Sequence, residues 1–262
     1  MLSLAGRRIL DSCSGAGLAV RLLLQALARL PLAWRSRRQI TRHIDVAGIG
    51  SILVLTLIAG LTGMIMVMQM GPSLETYGAM HMVGGMLGVT FTRELGPIWA
   101  AVIVLARVGS SMAAEIGTMT VNEEVEALRV MNIDPVRYLV MPRIVALVVA
   151  MPLLTALADV VGLLGGAYVA EAAFGVPYET FAESAQNLIQ PGDYLGGLIK
   201  STVFALIIGT VACNQGLRTE GGAEGVGHST TNTVRLCVIF VLIADLIMTQ
   251  ILQLLMGGGA GL

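Results

Sequence analysis

Residues 93–143 read RELGPIWAAVIVLARVGSSMAAEIGTMTVNEEVEALRVMNIDPVRYLVMPR. An Arg-Glu pair opens the stretch inside an apolar run. A short acidic, amphipathic segment follows and ends at Asp134-Pro135. Apolar segments long enough to cross a bilayer flank it on both sides. The pattern is a helical hook held between two membrane helices, and it fixes the expected class as an all-α integral membrane protein.

Composition agrees. Of 262 residues, 55% are hydrophobic and only 13% are charged, about half the charged share of an average soluble domain. The mean hydropathy is +0.81. Gly (32) and Met (15) are abundant, and glycine lets membrane helices approach closely. Eight arginines fall in the first 42 residues, against one carboxylate, and Lys200 is the single lysine. The three cysteines form no CxxC pair and the three histidines are scattered, so neither a zinc site nor a disulfide framework is indicated.

Five spans are expected: Val46–Met70, Met82–Ala106, Ile144–Ala170, Tyr194–Cys213 and Leu236–Gly257. Each reaches the roughly 20 residues needed to cross the hydrocarbon core. Residues 1–45 lack the continuous apolar core of a signal peptide. Between Leu18 and Trp34, Arg21, Gln25 and Arg29 form one stripe opposite Leu23, Leu27 and Leu30. That is the pattern of a basic helix lying in the membrane interface, or else of a partner-binding soluble helix. Domains are therefore expected at 1–45 (interfacial helix region), 46–257 (five-span domain) and 258–262 (tail). Arginine placement sets the orientation. The N-terminal segment and the second and fourth loops carry arginines, while residues 71–81 and 171–193 carry none. The N-terminus and the hook are thus expected in the cytoplasm. Residues 171–193 form an external loop able to hold a short helix ended near Pro191.

The hook is expected as a helix of about three turns near 115–135. Thr120 and Glu123 match a capping box. Glu123 and Glu124 suit the positive end of the helix dipole. Val121, Val125 and Leu128 form a narrow apolar stripe, with Glu123, Glu126 and Arg129 largely off it. Asn132 can serve as the residue after the helix, and Asp134-Pro135 as its stop.

Together with the preceding FTRELGPIWAAVIVLARVG, the segment GSSMAAEIGTMTVNEEVEALRVMNIDPVRYLVMPR resembles the MlaE/YrbE family. The resemblance extends over the basic N-terminal segment, the five spans and ADVVGLLGG in the third span. Members of that family are permease subunits of ABC transporters that move phospholipids between the two membranes of Gram-negative bacteria. The resemblance implies a non-catalytic inner-membrane subunit that acts as a homodimer around a lipid cavity and helps maintain outer-membrane lipid asymmetry. It implies a separate cytoplasmic ATPase that binds the ATP, an external MCE-domain lipid-binding ring and a small STAS-domain protein on the ATPase. It makes the hook a coupling helix, with Glu115, Glu123, Glu124, Glu126 and Arg129 setting polar register and Val125 and Leu128 as anchors.

Charges within spans are costly and usually face a partner, a cavity or a path. Arg93, Glu94, Asp159, Lys200 and Asp245 are of this kind. Lys200 lies at a depth that lets it meet Asp245 or Glu94. Structural ion pairs are one reading of the set. Gly96-Pro97 beside Arg93 is expected to open the helix, and an arginine at such a break can hold a phosphate. The family resemblance likewise places charges of this kind at the lipid cavity, and Arg93, Glu94, Lys200 and Asp245 are carried over. Met66 and Met70 offer flexible thioethers to acyl chains, or are lipid-facing filler. Leu74 and Tyr77 are candidates for the exit. Gly84-xxx-Gly88 and Gly162-xxx-Gly166 are close-packing motifs.

No GxxxxGK[ST], HExxH or GxSxG occurs, so this chain is expected neither to bind ATP nor to catalyse hydrolysis, and nucleic acid is not an expected partner. The alternatives to a lipid permease are an ion-coupled carrier of a hydrophobic substrate using Glu94, Asp159 and Asp245, and a membrane scaffold without substrate.

Overall fold

The computed structural model describes residues 37–257, with side chains to 254. The expected interfacial helix at Leu18–Trp34 and the tail 258–262 lie outside the described residues. The described chain is helical, without a strand. Its elements are α1 (Arg37–Ala47), α2 (Ile49–Thr76), α3 (Val83–Thr90), α4 (Gly96–Val104), α5 (Ser110–Val121), α6 (Glu124–Val130), α7 (Met141–Phe174), α8 (Tyr178–Leu188), α9 (Pro191–Leu217) and α10 (Gly222–Gly257). Wide π turns occupy Phe91–Leu95, Leu105–Gly109 and Val136–Val140. Five segments are long and apolar enough to cross a membrane: 37–76, 80–121, 136–174, 191–217 and 222–254. The short helix expected in the third loop is α8. The fold is that of an all-α membrane protein.

The described residues form two compact units. The first comprises 37–47, 105–148 and 205–241, and the second 48–104, 149–204 and 242–257. In the second unit α2 buries a stripe at every fourth residue, Ser51, Leu55, Ala59, Gly63, Val67 and Gly71. Residues four apart lie about 40° from one another, so these form one stripe that winds slowly round the helix. Small residues dominate it because apolar side chains gain little by leaving lipid for one another, so contact must come from close packing. A methyl group on Gly63 would lie 1.9 Å from the Gly162 carbonyl oxygen, and one on Gly165 would lie 2.3 Å from that of Gly60. Helices α2 and α7 therefore touch backbone to backbone. Gly84 and Gly88 similarly admit Phe181 and Ile189, and Ser184 Oγ accepts the Gly85 amide at 3.0 Å.

In the first unit the hook differs from its expected form. Residues 115–121 continue the second span as the end of α5. After Asn122 and Glu123, a separate helix of only seven residues, α6, follows. The Thr120 capping box does not form. Thr120 is still helical, and its hydroxyl donates to the Ile116 carbonyl (2.8 Å) and approaches that of Gly216 (3.2 Å). Glu123 takes the N-cap position with φ 61° and no side-chain cap bond. The other end is as expected. Asn132 adopts φ 59°, the Ile133 amide donates to Leu128 and the Asn132 amide to Arg129. This is a Schellman closure with asparagine in the left-handed position. Asp134 Oδ1 then accepts the Val136 amide, and helix resumes from Pro135.

Gly63→Val should lower the thermal unfolding midpoint in detergent by about 2–12 °C, the scale of a 1–3 kcal/mol overpacking penalty in a chain of this size. Gly227→Ala, inside α10 with nothing within 4 Å of the added carbon, should not lower it. Differential scanning fluorimetry of the purified variants reads both.

Candidate functional site

The second unit contains a cavity of about 370 Å³, within the size range of small-molecule sites. It is lined by residues of the Phe91–Leu95 turn, the start of α9 and the end of α10, among them Arg93, Glu94, Asp193, Lys200, Thr249 and Leu252. Its geometry begins with Pro97. Proline has no N–H, so the Arg93 carbonyl loses the donor that a regular helix would supply. The helix does not open there as expected. Instead it widens into a π turn, in which the Gly96 amide reaches back to the Phe91 carbonyl.

Lys200 supplies the missing donor. Its Nζ lies 3.0 Å from the Arg93 carbonyl oxygen, 2.7 Å from Glu94 Oε2 and 2.7 Å from Thr249 Oγ1. Asp245 Oδ1 lies 3.0 Å away as an ion-pair partner, without hydrogen-bond alignment. The Lys200 side chain is 2% exposed. Gly197, one turn earlier, lets α9 come this close, because a methyl there would meet the Thr92 carbonyl at 2.1 Å. The single hydrogen of Thr249 Oγ1 is shared between Glu94 Oε1 (3.0 Å) and the Asp245 carbonyl (2.9 Å). One turn of α10 therefore brings both Thr249 and Asp245 to the ammonium.

Arg93 pairs separately. Its Nε donates to Asp193 Oδ1 at 2.7 Å, and its Nη2 lies 2.7 Å from the same oxygen. The other Asp193 oxygen accepts the Gln190 amide at 3.1 Å. Pro191 opens α9 and Asp193 is its third residue, the position from which a carboxylate reaches back to the capping amide. Asp193 is 4% exposed, whereas the Arg93 side chain is 48% exposed. The guanidinium thus keeps an outer edge open beside the cavity.

Of the residues singled out in the sequence, Arg93, Glu94 and Lys200 line the cavity, and Asp245 stands behind Lys200. Met66, Met70, Leu74 and Tyr77 are not in the lining. Met66, Met70 and Leu74 are half-buried, and Tyr77 projects from the end of α2 at 83% exposure. Asp159 is buried apart from this set. Its Oδ1 lies against Gly96 and has no hydrogen-bond partner, and it makes no ion pair among the described residues. Asp193 and Thr249 escaped sequence reading. The Pro191-Gly-Asp start of a helix was the signal for the first. Thr249, one turn after Asp245, was the signal for the second.

In the hook, Val125 is buried and Leu128 half-buried within the chain. Glu123, Glu124, Glu126 and Arg129 are exposed, with Arg129 Nη1 2.6 Å from Glu126 Oε1. Glu115 instead turns to Arg143 at 3.1 Å.

The family described as Permease MlaE matches residues 40–251. The chain belongs to the MlaE permease family. It is 37% identical over 217 residues to a probable ABC transporter permease of Synechocystis sp., covering 83% of this chain and 82% of that one. It is 35% identical over 212 residues to a probable ABC transporter permease of Rickettsia prowazekii, covering 81% and 82%. It is 36% identical over 217 residues to the chloroplastic protein TRIGALACTOSYLDIACYLGLYCEROL 1 of Arabidopsis thaliana, covering 83% of this chain and 61% of the plant protein. This MlaE-family chain is a multi-pass ABC transporter permease, and the matched stretch contains all of the Lys200 cluster.

Lys200→Met would leave Glu94 and Asp245 facing each other without a cation. Removing one member of a buried ion pair costs about 3–5 kcal/mol, so the variant should unfold well below the parent in detergent. Adding Asp245→Asn should recover part of the loss. Thermal midpoints of the single and double variants check both statements.

Proposed function

We propose that this permease is the non-catalytic membrane subunit of an ABC transporter that moves phospholipids between the inner and outer membranes of a Gram-negative bacterium, maintaining outer-membrane lipid asymmetry. The observation that carries the reading is a charge-lined cavity set in membrane-spanning helices of an ABC permease. Charges at that depth are costly unless they serve a partner or a path, and a cavity with an open guanidinium edge suits an amphipathic molecule with a phosphate head. The plant relative's name is that of a galactosyl diacylglycerol lipid, which favours a diacyl lipid as cargo and leaves the phosphate head to the cavity's charges.

Two copies would form the working unit. Helix α10 is the least covered span: 11% of its most apolar window is buried, against 50–61% for the second, third and fourth spans. Ile239, Leu242, Leu246 and Ile247 leave it broadly apolar, and a second copy would cover that surface. The N-terminus and the hook would face the cytoplasm, where a separate ATPase binds the ATP and docks on the hook. Val130 (87% exposed) and Met131 (60% exposed) are its largest open apolar groups, flanked by Glu124, Glu126 and Arg129. They make better anchors than Val125, which is committed to the chain's own interior. An MCE-domain ring would sit on the external face, and a small STAS-domain protein on the ATPase. An ion-coupled carrier would have to work through Asp159, since Glu94 and Asp245 are tied to Lys200.

Affinity purification of the tagged chain in mild detergent, with mass spectrometry of proteins and lipids, tests the reading. An ATPase, an MCE-domain protein and bound phospholipid are expected. A lone, lipid-free chain across several detergents would contradict it. Met131→Asp should abolish ATPase co-purification while leaving membrane insertion intact. Undiminished co-purification would show that the hook is not the docking element.

A further inference from the structure

The charge balance around the cavity says which headgroup it can accept. Four charged side chains line it among the described residues: Arg93, Glu94, Asp193 and Lys200, with Asp245 directly behind Lys200. Two cations therefore meet three carboxylates. The Lys200 ammonium has three hydrogens and four oxygens within 3.0 Å. It has no donor left for a ligand. Arg93 has two of its nitrogens on Asp193. The start of α9, otherwise an attractive place for an anion, already has the Gln190 amide turned onto Asp193 Oδ2.

We propose that this cavity selects zwitterionic, ammonium-bearing phospholipids over anionic ones. The inference rests on the lipid-permease reading and adds the headgroup class. A phosphate has one place to go, the outer edge of Arg93, which is half exposed. An ammonium has its own place, the Glu94 carboxylate, which is 33% exposed and whose residue is adjacent in the chain on the same turn. A zwitterion satisfies both poles and leaves the balance unchanged. An anionic head adds a second negative charge to a group that already has one in excess. The low dielectric of a buried site enlarges that difference over its value in water.

The test uses the full-length protein in vesicles of equimolar phosphatidylethanolamine and phosphatidylglycerol with matched acyl chains. The protein is extracted in mild detergent and its retained lipids are quantified by mass spectrometry. Gly196→Trp, whose bulk fills the cavity, gives the background of lipid bound around the outside. Above that background, the ethanolamine lipid should be enriched about two- to fivefold over the vesicle ratio, the size of a partly exposed ion contact. Glu94→Gln should return the ratio to that of the vesicle. A ratio equal to the vesicle's, or one favouring phosphatidylglycerol, in the unmutated protein would overturn the headgroup assignment while leaving the lipid reading standing. Retained lipid no greater than in Gly196→Trp would overturn the lipid reading, and this inference with it.

Discussion

One ammonium constrains the second unit of the molecule. Lys200 is the chain's single lysine, it is almost wholly buried, and it lies within a membrane span. A cation there is tolerable only if anions and carbonyl oxygens surround it. Two elements supply them. The π turn brings Glu94 and the Arg93 carbonyl, and α10 brings Asp245 and Thr249. Pro97 frees the carbonyl by withholding an amide, and Gly197 removes the side chain that would hold α9 away. An alanine at 97 would compete for the carbonyl, and any side chain at 197 would push Lys200 out of reach.

The glycine contacts supply the complementary constraint. Membrane helices gain little from burying apolar side chains against each other, so their positions are set by how closely backbones can approach. In α2 and α7 the approach is direct, through Gly60, Gly63, Gly162 and Gly165. Gly162 also receives the Phe91 ring, and Phe91 begins the π turn that carries Arg93 and Glu94. Packing by small residues and pairing of charges thus converge on the same turn, which explains how a five-residue irregularity can hold its shape inside a span.

The class, the number of spans and the meeting of Lys200 with Glu94 and Asp245 were legible in the sequence. Length, hydropathy and depth along each span are one-dimensional quantities, and these features depend on little else. The hook was harder. Thr120 and Glu123 have the spacing of a capping box, but Met119 and Val121 let the preceding helix run on, so the hydroxyl bonds backward to Ile116. Local spacing could not tell which helix owned the threonine. The apolar stripe through Val125 was visible, yet whether it faced a partner or the chain itself depended on packing. Pro97 read as a break because proline removes a helix bond. A π turn absorbs that loss without bending the chain out, and nothing in five residues of sequence distinguishes the two outcomes. Asp193 ends the 171–193 stretch expected as an external loop, and nothing local singles it out as a partner of Arg93. Its role as the arginine's partner emerges only when the π turn and the start of α9 are brought side by side.

The claim that the cavity beside Lys200 is where the transported lipid resides can be tested with a phospholipid carrying a photoreactive diazirine near its headgroup. Illumination of the reconstituted transporter, followed by peptide mass spectrometry, locates the adducts. The account predicts adducts on the lining at Gly196, Leu252 and Gln253. These should diminish when unlabelled lipid competes or ATP drives turnover. Adducts confined to the outward face of α2, at exposed residues such as Leu53, Leu57 and Leu61, and indifferent to both treatments, would contradict it.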